Sequence, residues 1–104
     1  MGRGLAHAVA ALLGGAFFAP MSVAQDKGRI EEGIAVYKEH CGTCHGENLV
    51  SPGPNSDLRQ LKPQDRERFN RIVQNGRGQM PPWKGVVTDA EMDAVWAYIM
   101  SERQ

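Results

Sequence analysis

Cys41-Gly42-Thr43-Cys44-His45 concentrates the reactive side chains of this sequence. Two thiols three residues apart, with a histidine directly after the second, form the C-x-x-C-H pattern of covalent haem attachment. On one irregular turn each thiol can add across one vinyl group of a haem. The histidine is then carried under the iron, where its Nε2 can bind. Other chemistries use these residues less completely. A structural disulfide takes both cysteines and gives no reason for His45. A thioredoxin-like motif expects strands and a βαβ unit around it. Zinc needs four ligands, and only His40 could join these three, with no matching second pair. Haem attachment uses all three.

A haem iron has a second axial position, and methionine sulfur is the neutral donor used opposite histidine in electron-transfer haems. Beyond residue 24 there are three methionines. Met92 and Met100 fall on an apolar helical stripe, where core packing accounts for them. Met80 instead follows the polar, glycine-rich Gly76-Arg77-Gly78-Gln79, where periodicity gives an apolar side chain no reason to be. Pro81-Pro82 behind it restricts the chain and lowers the entropy lost in holding the sulfur in place. Met80 is therefore the expected sixth ligand. His40 is the competing donor, although its position at a helix end suits a solvated cation facing the dipole.

The elements that must position these residues read as helices joined by loops. Asp26 to His40 carries Ile30, Ile34 and Tyr37 at helical spacing, with Glu31 and Glu32 expected in the first turns. Gly46 to Lys62 has no clean period, and Ser51-Pro52-Gly53-Pro54-Asn55 reads as a rigid loop. Pro63 can open a helix with Phe69, Ile72 and Val73 on one face, stopped at Asn75-Gly76, with Gly76 left-handed. A second loop runs to Gly85. Thr88 and Glu91 form a capping box for the last helix, with Val87 and Met92 as its hydrophobic staple. The stripe of that helix is Met92, Val95, Trp96, Ile99 and Met100. No strand is expected; the class is all-α.

Composition limits what else the chain can be. Its 104 residues carry 12 Lys+Arg and 12 Asp+Glu, so no basic footprint argues for nucleic acid. Residues 1–24 hold one formal charge, Arg3, and an apolar run from Leu5 to Ala19 closed by Pro20. With Ser22-Val23-Ala24 behind it, this reads as a secretory signal peptide cut after Ala24. The run falls short of the roughly 20 residues of a spanning helix, so no stable membrane span is expected after cleavage. The expected location is the periplasm. Residues 25–104 form the expected folded domain, with five aromatics and a net charge of −1. So short a chain sits near the limit for an unaided hydrophobic core, so a cofactor is expected to complete it.

These parts together resemble the small class I c-type cytochromes of bacteria, over nearly all of residues 28–102. The resemblance rests on Gly33 and Tyr37 in the first helix, Cys41 to Gly46, and Gly53-Pro54-Asn55. Asn75 to Pro82 and the ending Ala97-Tyr98-Ile99 complete it. It implies a class I cytochrome c fold of three to four short helices around one covalent haem c. It further implies that the Pro54 carbonyl accepts from the His45 Nδ1–H, and that the first and last helices cross with Gly33 against Tyr98 or, as the alternative, Trp96. Many relatives place a tryptophan before the methionine to bond a haem propionate, whereas Trp83 follows it here. Arg77 is then the expected propionate partner. Trp83 is left to cover the haem edge, to face a docking partner, or simply to pack under its own loop.

Ligation by His45 and Met80 would close both axial positions, which implies a one-electron carrier, and a monomer is the expected state. Its expected partners are redox proteins: a dehydrogenase as donor and an oxidase or reductase as acceptor. The short methionine loop with Pro-Pro-Trp resembles carriers that serve periplasmic quinoprotein alcohol dehydrogenases. Two alternatives stand beside it: a haem enzyme or small-molecule binder with a labile sixth ligand, and a tightly held dehydrogenase subunit. Seven basic residues lie between Arg59 and Lys84, against Asp65 and Glu67 only. That local excess could form one docking face.

Overall fold

The structure, a computed structural model, describes the backbone of residues 21–53, 55 and 57–104, and their side chains from residue 26 onward. The expected signal peptide lies outside the described residues apart from the backbone of its last few positions, and so does Pro54.

The first helix, α1, runs Met21–His40. It begins before Asp26, so Glu31 and Glu32 sit about three turns inside it and not in its first turn. The dipole argument for them does not apply. Gly33, Val36 and Tyr37 are buried, and Ile30 and Ile34 are half-buried. The face they form crosses α4, Asp89–Glu102, in the most extensive inter-helix contact of the fold. The approach is set by a missing side chain. A Cβ on Gly33 would lie 2.0 Å from the Ala94 carbonyl oxygen and 3.1 Å from Tyr98 Cβ. Beside it the Tyr37 and Tyr98 rings meet edge to face, with centroids 5.6 Å apart.

The capping box of α4 is formed. The Glu91 N–H donates to Thr88 Oγ1 at 3.1 Å, and the Thr88 N–H donates to Glu91 Oε1 at 2.9 Å. Met92, Val95, Trp96 and Ile99 are buried as the stripe requires, but Ala94 and Tyr98 are buried too. The helix is covered on a wider arc than one stripe, because α1 lies across a second side of it.

Between these helices the chain is short-ranged. Gly42–His45 makes one turn, α2, followed by 3₁₀ turns at Glu47–Leu49, Leu58–Gln60 and Pro63–Asp65. Leu49 is fully buried with φ 69°, a left-handed conformation that leucine rarely adopts; burial in the core holds it. Pro63 opens the 3₁₀ turn that leads into α3, Arg66–Asn75. Phe69 of α3 packs on Trp96 with ring centroids 4.9 Å apart, and the Arg66 guanidinium covers that indole while pairing with Asp93. There is no strand among the described residues, only two isolated bridges. The architecture is all-α: α1 and α4 crossed, with α3 and the loops held to one side.

Candidate functional site

The reactive motif lies where α1 gives way to α2. The Cys41 N–H donates to Tyr37 O at 2.8 Å, the last bond of α1, and the Cys44 and His45 N–H groups both turn back to Cys41 O. Cys41 and Cys44 therefore stand one helical turn apart, each a free thiol. Their surroundings differ. Cys41 packs against the core, and burial pushes its thiol up to about 11, while Cys44 is exposed. The turn is tied down from two sides. Tyr37 Oη–H donates to Gly46 O at 2.6 Å, and Asn55 Nδ2 donates to Cys44 O at 2.7 Å. Burial, together with nearby Cys41 and Tyr98, pushes the Tyr37 phenol up to about 12, so it stays a donor across the ordinary pH range.

The methionine loop is held by α3. Past the end of that helix, the Trp83 N–H donates to Val73 O at 2.8 Å and the Lys84 N–H to Gln74 O at 3.2 Å. Arg77 and Met80 exchange two backbone bonds, at 3.0 and 2.9 Å, across the Gly78-Gln79 turn. Gly76 has the expected positive φ, but with ψ 169° it is extended and not in the left-handed helical region. A Cβ there would lie 2.6 Å from Met80 O and 2.9 Å from Pro82 N. The loop folds back over Gly76 because there is no side chain in the way.

These two segments face one cavity of about 570 Å³, within the usual range for a ligand site. Cys41 lines it from the junction of α1 and α2, Cys44 and His45 from α2, Met80 and Arg77 from the loop, and Trp83 from its far end. Gly33, Tyr37 and Tyr98 lie outside it, in the helix crossing. Leu58, Leu61, Phe69, Ile72 and Val73 supply apolar wall. Leu58 and Leu61 were missed by periodicity, although an apolar side chain in an aperiodic polar segment is the same signal that singles out Met80. The bond from Asn55 to Cys44 spans 11 residues of aperiodic chain, and no spacing in the sequence signals it. His40 corrects the sequence reading: its side chain is only 19% exposed, lines the cavity and tilts against Trp83 with ring centroids 5.2 Å apart. It ends α1 as expected, but its side chain is turned into the cavity and not out into solvent.

The donor set and the cavity fit a haem. His45 Nδ1 is buried with no hydrogen-bond partner among the described residues, as suits a ring oriented by a group outside them. Two thiols, the His45 imidazole and one thioether converge on a space whose remaining wall combines those apolar side chains with His40, Asn55, Arg68, Arg77 and Gln79. Among the described residues no cluster of three or more His, Cys, Asp or Glu has the arrangement of a dedicated metal site.

Comparison with known proteins gives a consistent picture. Residues 28–99 match the family model described as cytochrome c oxidase, cbb3-type, subunit III. Cytochrome c6 of Euglena gracilis is 31% identical over 77 residues, 67% of this chain and 88% of that protein. Cytochrome c-551 of Bacillus subtilis is 40% identical over 75 residues, 70% of this chain and 62% of that one. The quinohemoprotein alcohol dehydrogenase ADH-IIG of Pseudomonas putida is 32% identical over 83 residues. A solved structure of that dehydrogenase superposes with a TM-score of 0.68 over 74% of this chain. The match spans only 12% of the dehydrogenase.

Proposed function

Because this chain belongs to the family of small class I c-type cytochromes, haem proteins that carry electrons, we propose that it is a periplasmic carrier accepting single electrons from a dehydrogenase. It binds one covalent haem c, as its family does. When bound, that group supplies an iron that cycles between the ferric and ferrous states.

The protein's own residues do the rest. Cys41 and Cys44 would hold the haem, one from the core side and one from the surface. His45 and Met80 would bind its iron, leaving it no open position for oxygen or substrate. The apolar wall of Leu58, Leu61, Phe69, Ile72 and Val73 would keep water from one flank, and Arg77, which lines the same cavity, would pair with a propionate. Trp83 and His40 cover the rim. The observation that carries this reading is the convergence of Cys41, Cys44, His45 and Met80 on one cavity with an apolar wall from Leu58, Leu61, Phe69, Ile72 and Val73. Export rests on the apolar leader of residues 1–24, with cleavage after Ala24. A dehydrogenase donor is supported by the likeness to one segment of the quinohemoprotein enzyme, as a separate carrier or as a bound subunit.

Mass spectrometry of the exported protein is expected to show residues 25–104 plus one haem. A mature chain at peptide mass with Cys41 and Cys44 oxidised to a disulfide would overturn the assignment. Met80→Ala is expected to lower the reduction potential and admit carbon monoxide, because the ferrous state loses a neutral sulfur donor. Met92→Leu is a near volume-conserving core change costing less than about 1.5 kcal/mol and should leave the spectrum intact. A native spectrum in Met80→Ala would assign the axial position elsewhere.

A further inference from the structure

We propose that His40 is a positioning residue for Met80: packed on Trp83, it ties the far end of the methionine loop to the helix that leads into the two thiols. This rests on ligation by His45 and Met80 as read above, and adds what keeps the Met80 sulfur in place.

The two expected axial ligands hang from separately anchored segments. His45 belongs to the turn that continues α1, held by the Cys41 carbonyl and, through Gly46, by the Tyr37 phenol. Met80 belongs to a loop whose backbone bonds run elsewhere. The Gly76 N–H returns to Ile72 O at 2.8 Å, the Trp83 N–H to Val73 O at 2.8 Å and the Lys84 N–H to Gln74 O at 3.2 Å, all on α3. The Trp83 carbonyl accepts from the Val86 and Val87 N–H groups, each at 2.9 Å. Among the described residues no hydrogen bond or ion pair joins residues 76–87 to residues 37–49. Side-chain packing is left to set the spacing of the two.

The contact of His40 with Trp83 spans that gap. His40 ends α1 directly before Cys41, and Trp83 is the third residue after Met80. Their ring centroids lie 5.2 Å apart at an interplanar angle of 57°, and both residues line the cavity. Nothing polar fixes the imidazole there. It makes no hydrogen bond among the described residues, and its carboxylate neighbour is Glu39 at 3.9 Å, whose side chain is 72% exposed. An ion pair so open to solvent contributes little, so packing on the indole holds the ring. The Trp83 backbone is bonded at both its N–H and its carbonyl, so a contact that holds the indole also holds the loop end. Attachment through Cys41 would fix its neighbour as well, giving the loop a support that does not drift. An aromatic pair of this kind shifts an opening equilibrium by about fivefold beyond the area it buries.

The ferric, haem-loaded protein is mixed with imidazole, an external base that binds only once Met80 has left, so the rate at saturating imidazole is the opening rate. His40→Ala is expected to raise that limiting rate about fivefold, and hydrogen exchange at the Trp83 amide by the same factor. His40→Phe keeps a ring against the indole and should stay within about twofold of wild type, as should Lys38→Ala at an exposed position of the same turn. In a Trp83→Ala background His40→Ala should add nothing, since the contact is already gone. Equal rates in wild type and His40→Ala would overturn the positioning role. So would an equal acceleration in His40→Phe, which would assign His40 a polar role, or full acceleration beside Trp83→Ala, which would place its partner elsewhere. If His40→Ala loads no haem, Trp83→Leu removes the ring pair from the other side; an acceleration at least as large is expected, and a wild-type rate overturns the role. A wild type whose imidazole uptake reaches no limiting rate would refute Met80 ligation itself, and the positioning role with it. Failure of ligation thus shows in the wild type, failure of positioning only in the variants.

Discussion

At the α1–α4 crossing Gly33 lies under the Ala94 carbonyl and Tyr37 meets Tyr98, so protein alone fills the contact. Two turns further along the same helix, at Cys41, the chain enters a wall of short turns and loops around a 570 Å³ space. One half of the domain is closed by side chains and the other is arranged around something else. The contrast explains how a chain this short keeps a defined fold. A tight helix pair fixes the ends, and a cofactor completes what loops cannot pack by themselves.

The largest test removes what fills the second half. Cys41→Ser with Cys44→Ser blocks attachment, and loss of a cooperative thermal transition is expected by circular dichroism. A cooperative transition in that variant would show that the helix crossing organises the loops unaided. Gly33→Ala attacks the first half: its methyl would meet the Ala94 carbonyl, and forcing the helices apart should cost about 3 kcal/mol in denaturant unfolding. Loss of less than about 1 kcal/mol would mean that the crossing slides without penalty.

Gly76→Ala acts on the loop half. The positive φ and the approach of Met80 O predict a cost of about 2 kcal/mol, with a change in the methionine-sensitive absorption that Gly33→Ala does not produce. The smallest effect concerns the cap of α4. The Thr88 backbone N–H, with its hydroxyl, holds the Glu91 carboxyl below its ordinary value of 4.5. The stabilisation is therefore present above about pH 4.5 and is lost as pH falls through the lower folded value. Glu91→Gln should flatten this part of the acid limb of the stability curve while leaving the neutral-pH absorption spectrum alone.

Legibility in the sequence followed the range of the interactions. The capping box at Thr88, the break at Pro63, the stop at Gly76 and the C-x-x-C-H turn are set by residues within a few positions of one another. All could be read in advance. The start of α1 could not, because helix continues through Met21 to Gln25 without a stop signal to mark Asp26 as its beginning. Burial of Ala94 and Tyr98 depends on a second helix crossing α4, which periodicity along α4 cannot report. His40 looked like a helix-end cation until Trp83, 43 residues later, came to rest on it. Leu58 and Leu61 belong to the cavity only because an aperiodic segment folds toward it. Within the candidate site, residue types were legible and the backbone bonds that hold them were not: Asn55 to Cys44, and Trp83 to Val73.

That last bond ties two events together in time. The carbonyls of Val73 and Gln74 belong to the final turn of α3, which has no intrahelical donors left to serve it. The amides of Trp83 and Lys84 serve it instead, so the methionine loop is also the helix's terminal cap. The loop cannot lift away from the cavity without uncovering that turn, and the turn cannot fray without releasing the loop. Swinging of Met80 away from the site and hydrogen exchange at the Trp83 amide should then share one opening rate, making that amide a clock for the Met80 side chain.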